Sequence, residues 1–426
     1  MTSPTIGYVG MTHLGLCSAI ATASKGFATL GFTDDAGLMT RLEKGELPVV
    51  EPGLDELLRN NRARLKFTTD FDQLRRCDLI YVAPDVPTDD SGRSDLASID
   101  AMLELASAKA ADAATIVVLS QVPPGFTRAH MRPGRSLFYQ VETLVFGRAV
   151  ERATKPERLI VGCADPARPL PVAMQTYLEA FGCPILTMRF ESAELTKISI
   201  NCCLVASVTV ANTLSELCER IGADWSEISP ALKLDHRIGA DAYLSPGLGL
   251  AGGNLERDLA TILRLSEEFG TEAGLVKAFV ANSEHRRDWT LRTLHEMLLS
   301  HLPQAKIGIL GLAYKENTHS VKNSPSLALI SGLAPWLIQV FDPVVPASAA
   351  PHPNVKAAKS ALDAAQGVDA LVIMTPWPEF RVLSCPALAK AMRGRLVLDP
   401  YRVLDAEEVR SAGLVYRTLG VVRSEC

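Results

Sequence analysis

The chain has 426 residues, of which 47% are hydrophobic, 21% are charged and 6% are aromatic, and its formal net charge is −5. This length predicts about two or three domains, and the composition is that of a globular protein. A slightly acidic chain without a long basic run is not expected to bind nucleic acid or an anionic membrane surface. We expect no apolar run near the roughly 18 residues of a membrane span and no signal peptide, hence a cytoplasmic protein.

The cysteines and histidines indicate neither a disulfide framework nor a metal site. The nine cysteines show no CxxC pair, and Cys202 and Cys203 are adjacent, which suits core packing better than a disulfide. We therefore expect reduced, buried thiols. The eight histidines show no HxxxH or HExxH spacing, so no metal ion is expected.

Strand and helix patterns alternate through the N-terminal part of the chain. Short apolar runs predict parallel strands that are covered on both faces. The predicted strands are Thr5–Val9, Phe27–Thr33, Leu79–Ala83 and Thr115–Leu119, and the first predicted helix is Leu14–Ser24. This alternation favours a doubly wound sheet, while other α/β folds remain open at this point.

The middle of the chain contains a long stretch without proline or glycine. This stretch, Ser192–Ile221, predicts one helix that ends at Gly222. A helix of about 30 residues would be about 45 Å long, which exceeds most domain helices. We therefore expect it to connect two lobes or to form a dimer interface.

A second series of apolar runs begins after residue 302. The predicted strands are Lys306–Leu312, Trp336–Val340, Ala370–Met374 and Leu396–Leu398. The predicted fold class is therefore α/β, with two Rossmann-like doubly wound parallel-sheet domains joined by a long central helix and a helical region, which the family resemblance described below implies to be a dimerisation region. The predicted domains are residues 1–190, 191–302 and 303–426.

A glycine-rich loop follows the first predicted strand. A register that starts at Gly7 leaves too little chain for that strand. The other register, Gly10-Met11-Thr12-His13-Leu14-Gly15, is a GxGxxG pattern in which Thr12 replaces the middle glycine. Between a strand and a helix, this pattern indicates a dinucleotide whose pyrophosphate lies at the helix N-terminus, although the motif alone has low specificity. The predicted cofactor contacts here are Gly10, Thr12, His13, Leu14 and Gly15.

Several longer motifs follow one another along nearly the whole chain. They are Lys44-Gly45-Glu46-Leu47-Pro48, Glu51-Pro52-Gly53-Leu54, Gly311-Leu312-Ala313-Tyr314-Lys315, Asn317-Thr318, Asn323-Ser324-Pro325 and Val340-Phe341-Asp342-Pro343. Together with the helix 192–212, they resemble the UDP-glucose/GDP-mannose dehydrogenase family. The resemblance implies an N-terminal NAD domain, a helical dimer centre and a C-terminal nucleotide-sugar domain. It also implies NAD as the cofactor, a UDP-hexose as the substrate, and a homodimer or higher homo-oligomer.

The phosphate-binding part of the cofactor site departs from the family pattern. Thr12 leaves less room for the pyrophosphate than a glycine would. The family's Gly-Thr-Pro after the fourth strand is Asp85-Val86-Pro87 here, and this carboxylate would repel a pyrophosphate unless it faces solvent. The resemblance further assigns Val86, Gln121 and Lys322 to the cofactor site, where the family has two threonines and an arginine.

The ribose-binding part departs as well. The family's ribose-binding acid corresponds to Thr33, which is followed by Asp34 and Asp35. Either Asp34 replaces this acid, or the affinity for NAD falls. No arginine follows Thr33, so a change to NADP is not favoured.

The resemblance assigns alkoxide stabilisation to Lys197 and Asn201, and the holding of a water to Asp258. Lys197 and Asn201 are spaced i, i+4, so both project from one helix face; the alternative is a solvated lysine on an exposed face. Glu142 corresponds to the glutamate of thioester hydrolysis; the alternatives are a general base and a hydrogen-bonding residue of the fold. The family's nucleophilic cysteine, four residues before the aspartate, is Asn254 here, and a carboxamide cannot form the thiohemiacetal that a second oxidation needs. We expect Asn254 to cap the helix that starts there.

The substrate side matches the family in part. Arg237 corresponds to the arginine that reaches the substrate of the partner subunit, and Lys315 follows the second glycine loop. The family's substrate arginine is replaced by Tyr401. The predicted substrate contacts are Glu142, Leu144, Lys197, Asn201, Arg237, Tyr243, Gly249 and Lys315.

These residues leave more than one function open. The first is an NAD-dependent dehydrogenase that removes one hydride from a nucleotide sugar and stops at the carbonyl. The second is a nucleotide-sugar-binding pseudoenzyme in polysaccharide synthesis, which the changes at Thr12, Thr33, Val86, Gln121 and Asn254 favour. A third and less favoured function is full dehydrogenase activity, in which another residue serves as the nucleophile.

Overall fold

A computed structural model describes residues 3–89 and 92–422. The chain forms two compact units, Met1–Ile200 and Asn201–Cys426. Their boundary falls inside a helix of 32 residues, Phe190–Ile221. The division into three domains therefore stays a prediction.

The first unit contains an eight-stranded sheet. The strands are β1 Ile6–Val9, β2 Thr29–Phe32, β3 Leu65–Thr68, β4 Leu79–Val82, β5 Thr115–Val118, β6 Ser136–Gln140, β7 Leu159–Cys163 and β8 Ile185–Arg189. They lie in the order β3-β2-β1-β4-β5-β6-β7-β8, and each neighbouring pair is parallel except β6 and β7. The first six strands have the order of a doubly wound dinucleotide-binding sheet, so the predicted fold class is confirmed for this unit.

Helices cover both faces of this sheet. They are α1 His13–Ser24, α2 Ala36–Glu43, α3 Leu54–Asn61, α4 Ala97–Lys109, α5 Phe126–Ala129, α6 Ala149–Thr154 and α7 Val172–Glu179. All four residues of β1, β4 and β5 are buried, as expected of parallel strands between two helical layers. The switch point of the sheet, where chain connections leave in opposite directions, lies between β1 and β4.

The second unit begins with helices and ends with another sheet. The long helix is α8 Phe190–Ile221, and it is followed by α9 Trp225–Leu234, α10 Asn254–Phe269, α11 Gly274–Arg287 and α12 Trp289–Leu294. The buried carboxylate of Glu219 accepts hydrogen bonds from the indole of Trp289 at 3.1 Å and from the amide of Gly420 at 3.1 Å. This contact joins α8 to α12 and to the last described segment of the chain.

The second sheet has six parallel strands. They are β9 Lys306–Leu310, β10 Leu337–Phe341, β11 Val355–Ala357, β12 Ala370–Ile373, β13 Leu396–Leu398 and β14 Val415–Arg417. Their order is β11-β10-β9-β12-β13-β14, which repeats the doubly wound order of the first sheet. The helices around it are α13 Pro325–Gly332, α14 Ala361–Ala364, α15 Cys385–Ala391 and α16 Ala406–Ser411.

The helix α8 corrects one expectation. By length and composition it is apolar enough to cross a membrane, with a mean hydropathy of 1.5 over 18 residues, of which 33% are buried. The expectation that no apolar run approaches this length is therefore wrong. A core helix of a soluble protein satisfies the same criterion, so the helix by itself is weak evidence for a membrane.

Candidate functional site

The first glycine loop lies at the carboxyl end of β1, beside the switch point of the first sheet. Gly10 has a φ of +95°, which L side chains rarely adopt. A Cβ on Gly15 would lie 1.9 Å from the carbonyl oxygen of Gly10, so α1 can pack on the loop only with a glycine at this position. The register that starts at Gly10 is therefore the structural one.

Thr12 and Asp85 close this loop against the loop after β4. The Asp85 amide donates to the Thr12 hydroxyl oxygen at 2.8 Å, and that hydroxyl donates to the carbonyl of Ala83 at 3.4 Å. The Asp85 carboxylate accepts from the amides of His13 and Leu14 at 3.1 and 3.2 Å. Sequence reasoning expected this carboxylate either to face solvent or to repel a phosphate. Asp85 is exposed, and its carboxylate also occupies amides at the N-terminus of α1.

Three consecutive residues at the end of β2 make different contacts. Thr33 is buried, and its hydroxyl accepts from the amide of Asp35 at 3.2 Å. Asp35 caps α2 by accepting from the amide of Leu38 at 2.9 Å. Asp34 is exposed. Of the two aspartates, Asp34 is thus the one not engaged in helix capping.

His13 connects the cofactor loop to the segment after β6. Its Nε2 lies 2.8 Å from the carboxylate of Glu51, and its ring centre lies 4.3 Å from that of Phe146. Glu51, which is 5% exposed, also accepts from the amides of Gly147 at 2.9 Å and Ala149 at 3.2 Å. Glu51 belongs to one of the family-like motifs in the sequence, but the motif does not indicate its role, because the partners of Glu51 are far from it in the chain.

The remaining cofactor candidates of the first unit lie on neighbouring loops. Val86 packs against the apolar cluster between the sheet and α4. Gln121 follows β5, and the preceding hydroxyl of Ser120 donates to the carbonyl of Pro84 at 2.5 Å. Farther along this loop, the amide of Gly125 donates to the carboxylate of Glu194 at 2.6 Å. Burial raises the pKa of the Glu194 carboxyl.

Lys197 and Glu142 form an ion pair in the first unit. Their Nζ and Oε2 atoms are 3.2 Å apart, and the two side chains are only 13% and 16% exposed. Glu142 also accepts from the amide of Leu144. The structure thus brings three of the predicted residues together, and Lys197 is not the solvated lysine of the alternative interpretation.

Asn201 and Asp258 form a second pair, which lies in the second unit. The side-chain amide of Asn201 donates to the Asp258 carboxylate at 2.5 Å. Arg257 places its Nε 3.4 Å from the other carboxylate oxygen, and Asp258 is 1% exposed. A charged carboxylate with this burial needs such donors, because desolvation disfavours its ionised form.

The glycine-rich loop before α10 contains Gly249, which has a φ of +79° and whose Cβ would lie 2.4 Å from the carbonyl of Ser283. At Gly247, a Cβ would meet no atom within 4 Å. Gly253, not Asn254, occupies the N-cap position, with a φ of 90°. Asn254 is the first residue of α10 and is exposed. The expectation that Asn254 caps the helix is therefore wrong, since a left-handed backbone at the cap favours glycine.

The cysteines of the described residues do not offer an activated thiol. Eight unpaired cysteines are described, and burial raises the thiol pKa of seven of them, namely Cys17, Cys77, Cys163, Cys183, Cys202, Cys218 and Cys385. The eighth, Cys203, is exposed and lies about 200° around α8 from Asn201. Within residues 3–89 and 92–422, no cluster of three His, Cys, Asp or Glu residues could hold a metal ion.

Two predicted substrate residues of the second unit are exposed. The guanidinium of Arg237 pairs with Asp235 at 2.6 Å, its side chain is 89% exposed, and Tyr243 is exposed as well. Neither residue is packed into the core of its own unit. Both side chains are therefore accessible to a ligand or to another protein surface.

The other substrate and cofactor candidates of the second unit lie near its glycine loops. The ammonium of Lys315 lies 5.6 Å from the ring centre of Tyr314. The carbonyl of Lys322 accepts from the amide of Gly252 at 3.0 Å. At Tyr401, burial and then Asp399 raise the pKa of the phenol, and a phenol carries no positive charge.

The second glycine loop is held by Asp342, another residue to which sequence reasoning gave no role. Its carboxylate accepts from the amides of Leu312 and Ala313 at 2.7 and 3.0 Å and from the indole of Trp377 at 3.1 Å. Gly311 has a φ of +97°, and a Cβ there would lie 2.4 Å from the Thr375 hydroxyl. An acid directly after the second strand of a Rossmann-like unit was the signal that could have identified this contact.

Two doubly wound sheets, each with a glycine loop at its switch point, define a two-Rossmann protein of the nucleotide-binding class. Models of the UDP-glucose/GDP-mannose dehydrogenase family match three segments: the NAD binding domain matches residues 4–178, the central domain 191–284 and the UDP binding domain 308–406. The chain belongs to this family. It is therefore an enzyme of the nucleotide-sugar dehydrogenase type with an NAD-binding domain.

Individual relatives agree with this assignment. The UDP-glucose 6-dehydrogenase TuaD of Bacillus subtilis is 27% identical over 97% of this chain and 93% of that protein. The UDP-glucose 6-dehydrogenase of Rhizobium meliloti is 28% identical over 97% of this chain and 99% of that protein. The solved UDP-glucose dehydrogenase of Pyrobaculum islandicum is similar with a TM-score of 0.85 and 26% identity, over 99% of this chain and 98% of that one. The family resemblance noted in the motifs is thus confirmed.

Proposed function

We propose that this enzyme uses NAD to oxidise the CH–OH group of a nucleotide sugar, a UDP-hexose, and that it removes one hydride only. Relatives over nearly the whole chain are UDP-glucose 6-dehydrogenases, which supports the substrate class. The observation that carries the proposal is the combination of two intact polar pairs, Lys197–Glu142 and Asn201–Asp258, with an asparagine at position 254.

The first glycine loop fits NAD in three respects. Gly10 and Gly15 allow close packing of the loop, the first turn of α1 offers amides to a pyrophosphate, and Asp34 offers an exposed carboxylate at the end of β2 for the ribose hydroxyls. When bound, NAD accepts the hydride that leaves the sugar carbon. The fit requires that the carboxylate of Asp85 leave the amides it occupies.

Lys197 and Asn201 would stabilise the oxygen of the substrate as it loses its proton. An ammonium has three N–H donors and a carboxamide has two. Glu142 takes one donor of Lys197 and Asp258 takes one of Asn201, so both residues keep donors for a developing alkoxide. Asp258, acting through a water, would accept the proton.

A single oxidation follows from the chemistry at position 254. Hydride can leave an aldehyde carbon only after a nucleophile has added to it, and the carboxamide at position 254 does not form such a covalent adduct. Burial raises the pKa of seven of the eight described thiols, and a thiol that loses its proton less readily is a poorer nucleophile. The expected product is therefore a carbonyl compound.

The stoichiometry of NADH tests this proposal. The purified protein is incubated with NAD and UDP-glucose, NADH is counted per sugar consumed, and the product is identified by mass spectrometry. We expect one NADH per sugar in the natural protein, a ratio closer to two in Asn254→Cys, and one in the neighbouring control Leu255→Cys. Two NADH per sugar and a uronic acid from the natural protein would contradict the single oxidation.

We further propose that the protein is a cytoplasmic homodimer or higher homo-oligomer. Val210, Leu214, Leu217 and Ile221 are exposed along α8 and recur at spacings of four, three and four residues, which places them on one helix face. A face of this kind on a soluble protein indicates a protein partner, and a second copy would cover it. The unpaired cysteines fit a reducing compartment.

A further inference from the structure

The N-terminus of α1 already holds an anion that belongs to the chain itself. The carboxylate of Asp85 accepts from the amides of His13 and Leu14 at 3.1 and 3.2 Å. In a dinucleotide-binding fold, amides at this place are the donors offered to the pyrophosphate. Ligand and carboxylate therefore require the same two hydrogen-bond donors.

Thr12 holds Asp85 in this position. Its hydroxyl oxygen accepts from the Asp85 amide at 2.8 Å, while the hydroxyl proton points to the carbonyl of Ala83 at 3.4 Å. We call these contacts, together with the carboxylate bonds to α1, the Thr12–Asp85 clasp. The clasp needs both side chains, because glycine at position 12 would remove the hydroxyl and glycine at position 85 would remove the carboxylate.

In the second unit, a carboxylate likewise accepts hydrogen bonds from the amides that follow a glycine loop. Asp342 accepts from the amides of Leu312 and Ala313 after the second glycine loop. Asp342 is additionally fixed by the amides of Val344 and Val345, both at 2.8 Å. Asp85 is exposed, whereas the carboxylate of Asp342 accepts from four backbone amides and from the indole of Trp377. Asp85 is therefore the more readily displaced of the two.

We propose that Asp85 is an internal competitor of the cofactor pyrophosphate, and that the Thr12–Asp85 clasp sets the affinity of the enzyme for NAD. The proposal rests on the proposed function in so far as NAD is the ligand. Two anions cannot accept from the same two amides, and a carboxylate that stayed beside the pyrophosphate would repel it. Binding therefore includes the free energy of opening the clasp, and the apparent affinity is the intrinsic affinity multiplied by the fraction of molecules in which the clasp is open.

The test compares Asp85→Gly and Asp85→Asn with a control, Asp112→Asn, whose carboxylate is fully exposed. Asparagine removes the charge but keeps an acceptor oxygen; glycine removes both. Calorimetry measures the affinity for NAD, ADP and adenosine. We expect Asp85→Gly to bind NAD and ADP about tenfold more tightly, an energy of about 1.4 kcal/mol, Asp85→Asn to gain less, and the control to equal the natural protein. Adenosine has no phosphate, so its affinity stays unchanged in all variants.

Inorganic pyrophosphate gives a readout that does not depend on activity. It should raise the melting temperature of Asp85→Gly and of Asp85→Asn more than that of the natural protein or of Asp112→Asn, because glycine removes the acceptor that occupies the amides of α1 and asparagine removes its charge. Equal responses in all four proteins, or an equal gain for adenosine and ADP, would overturn the competition. If pyrophosphate discriminates but no variant binds NAD, the clasp stands and the proposed dehydrogenase function fails.

Discussion

Replacing Glu51 by glutamine tests whether one buried carboxylate holds the cofactor loop to the segment that follows β6. The Glu51 side chain is 1% exposed and accepts from three donors: the imidazole of His13 at 2.8 Å, the amide of Gly147 at 2.9 Å and the amide of Ala149 at 3.2 Å. Glutamine keeps one acceptor oxygen and turns an NH2 group toward one of these donors.

The magnitude follows from the hydrogen bonds that glutamine loses. A hydrogen bond to a charged group contributes about 1.5–3 kcal/mol, and a buried donor without a partner costs about 1–3 kcal/mol. With one such bond lost and the others weakened by removal of the charge, we expect Glu51→Gln to lower the free energy of unfolding by about 3 kcal/mol. Glu46→Gln, at an exposed position nearby, should change it by less than about 0.5 kcal/mol.

Urea unfolding followed by circular dichroism measures the difference in stability between the two variants. Hydrogen exchange gives a local measurement, because the amides of Gly147 and Ala149 should lose protection in Glu51→Gln and keep it in Glu46→Gln. Our account of the Glu51 contacts would be refuted if both variants had the same stability within about 1 kcal/mol and the same exchange at these two amides.

Two further predictions concern catalysis and assembly. Lys197→Met should lower kcat by about 10²- to 10³-fold, since one donor to the developing oxyanion is lost. Lys44→Met, an exposed control, should keep the kcat of the natural enzyme. A kcat of Lys197→Met within tenfold of the natural enzyme would exclude the role assigned to Lys197. Leu214→Glu places a charge on the exposed apolar face of α8 and should weaken self-association, which sedimentation velocity measures at micromolar concentration. If the natural protein sediments as a monomer, the proposed oligomer is contradicted.

Local patterns were sufficient to predict most of the fold. Strands between two helical layers must be apolar throughout, so β1, β4 and β12 stand out as short buried runs in the sequence. The predicted bounds differ from the observed ones by a residue or two; the strand predicted over residues 27–33 is β2, Thr29–Phe32. Strand ends depend on pairing with a neighbour, which a single segment does not encode.

The candidate site was predictable where neighbours in sequence form it. The i, i+4 spacing of Lys197 and Asn201 on a long helix is a local feature, and it was recognised. The cap of α10 was assigned to Asn254 because asparagine is a good capping residue, but the chain there takes up a left-handed conformation at Gly253. The left-handed backbone conformation thus places the N-cap at Gly253 and not at the adjacent Asn254.

The sequence by itself therefore determined the two doubly wound units, the long helix, the family and the identities of the residues that could react. The tertiary structure alone decided that Asp85 lies on the amides of α1, that Glu51 joins His13 to the loop at Gly147, and that Lys197 pairs with Glu142. The physical reason is that a hydrogen bond depends on distance and direction in space. These partners are separated by tens of residues in the chain, so no local pattern records which donor each carboxylate accepts from.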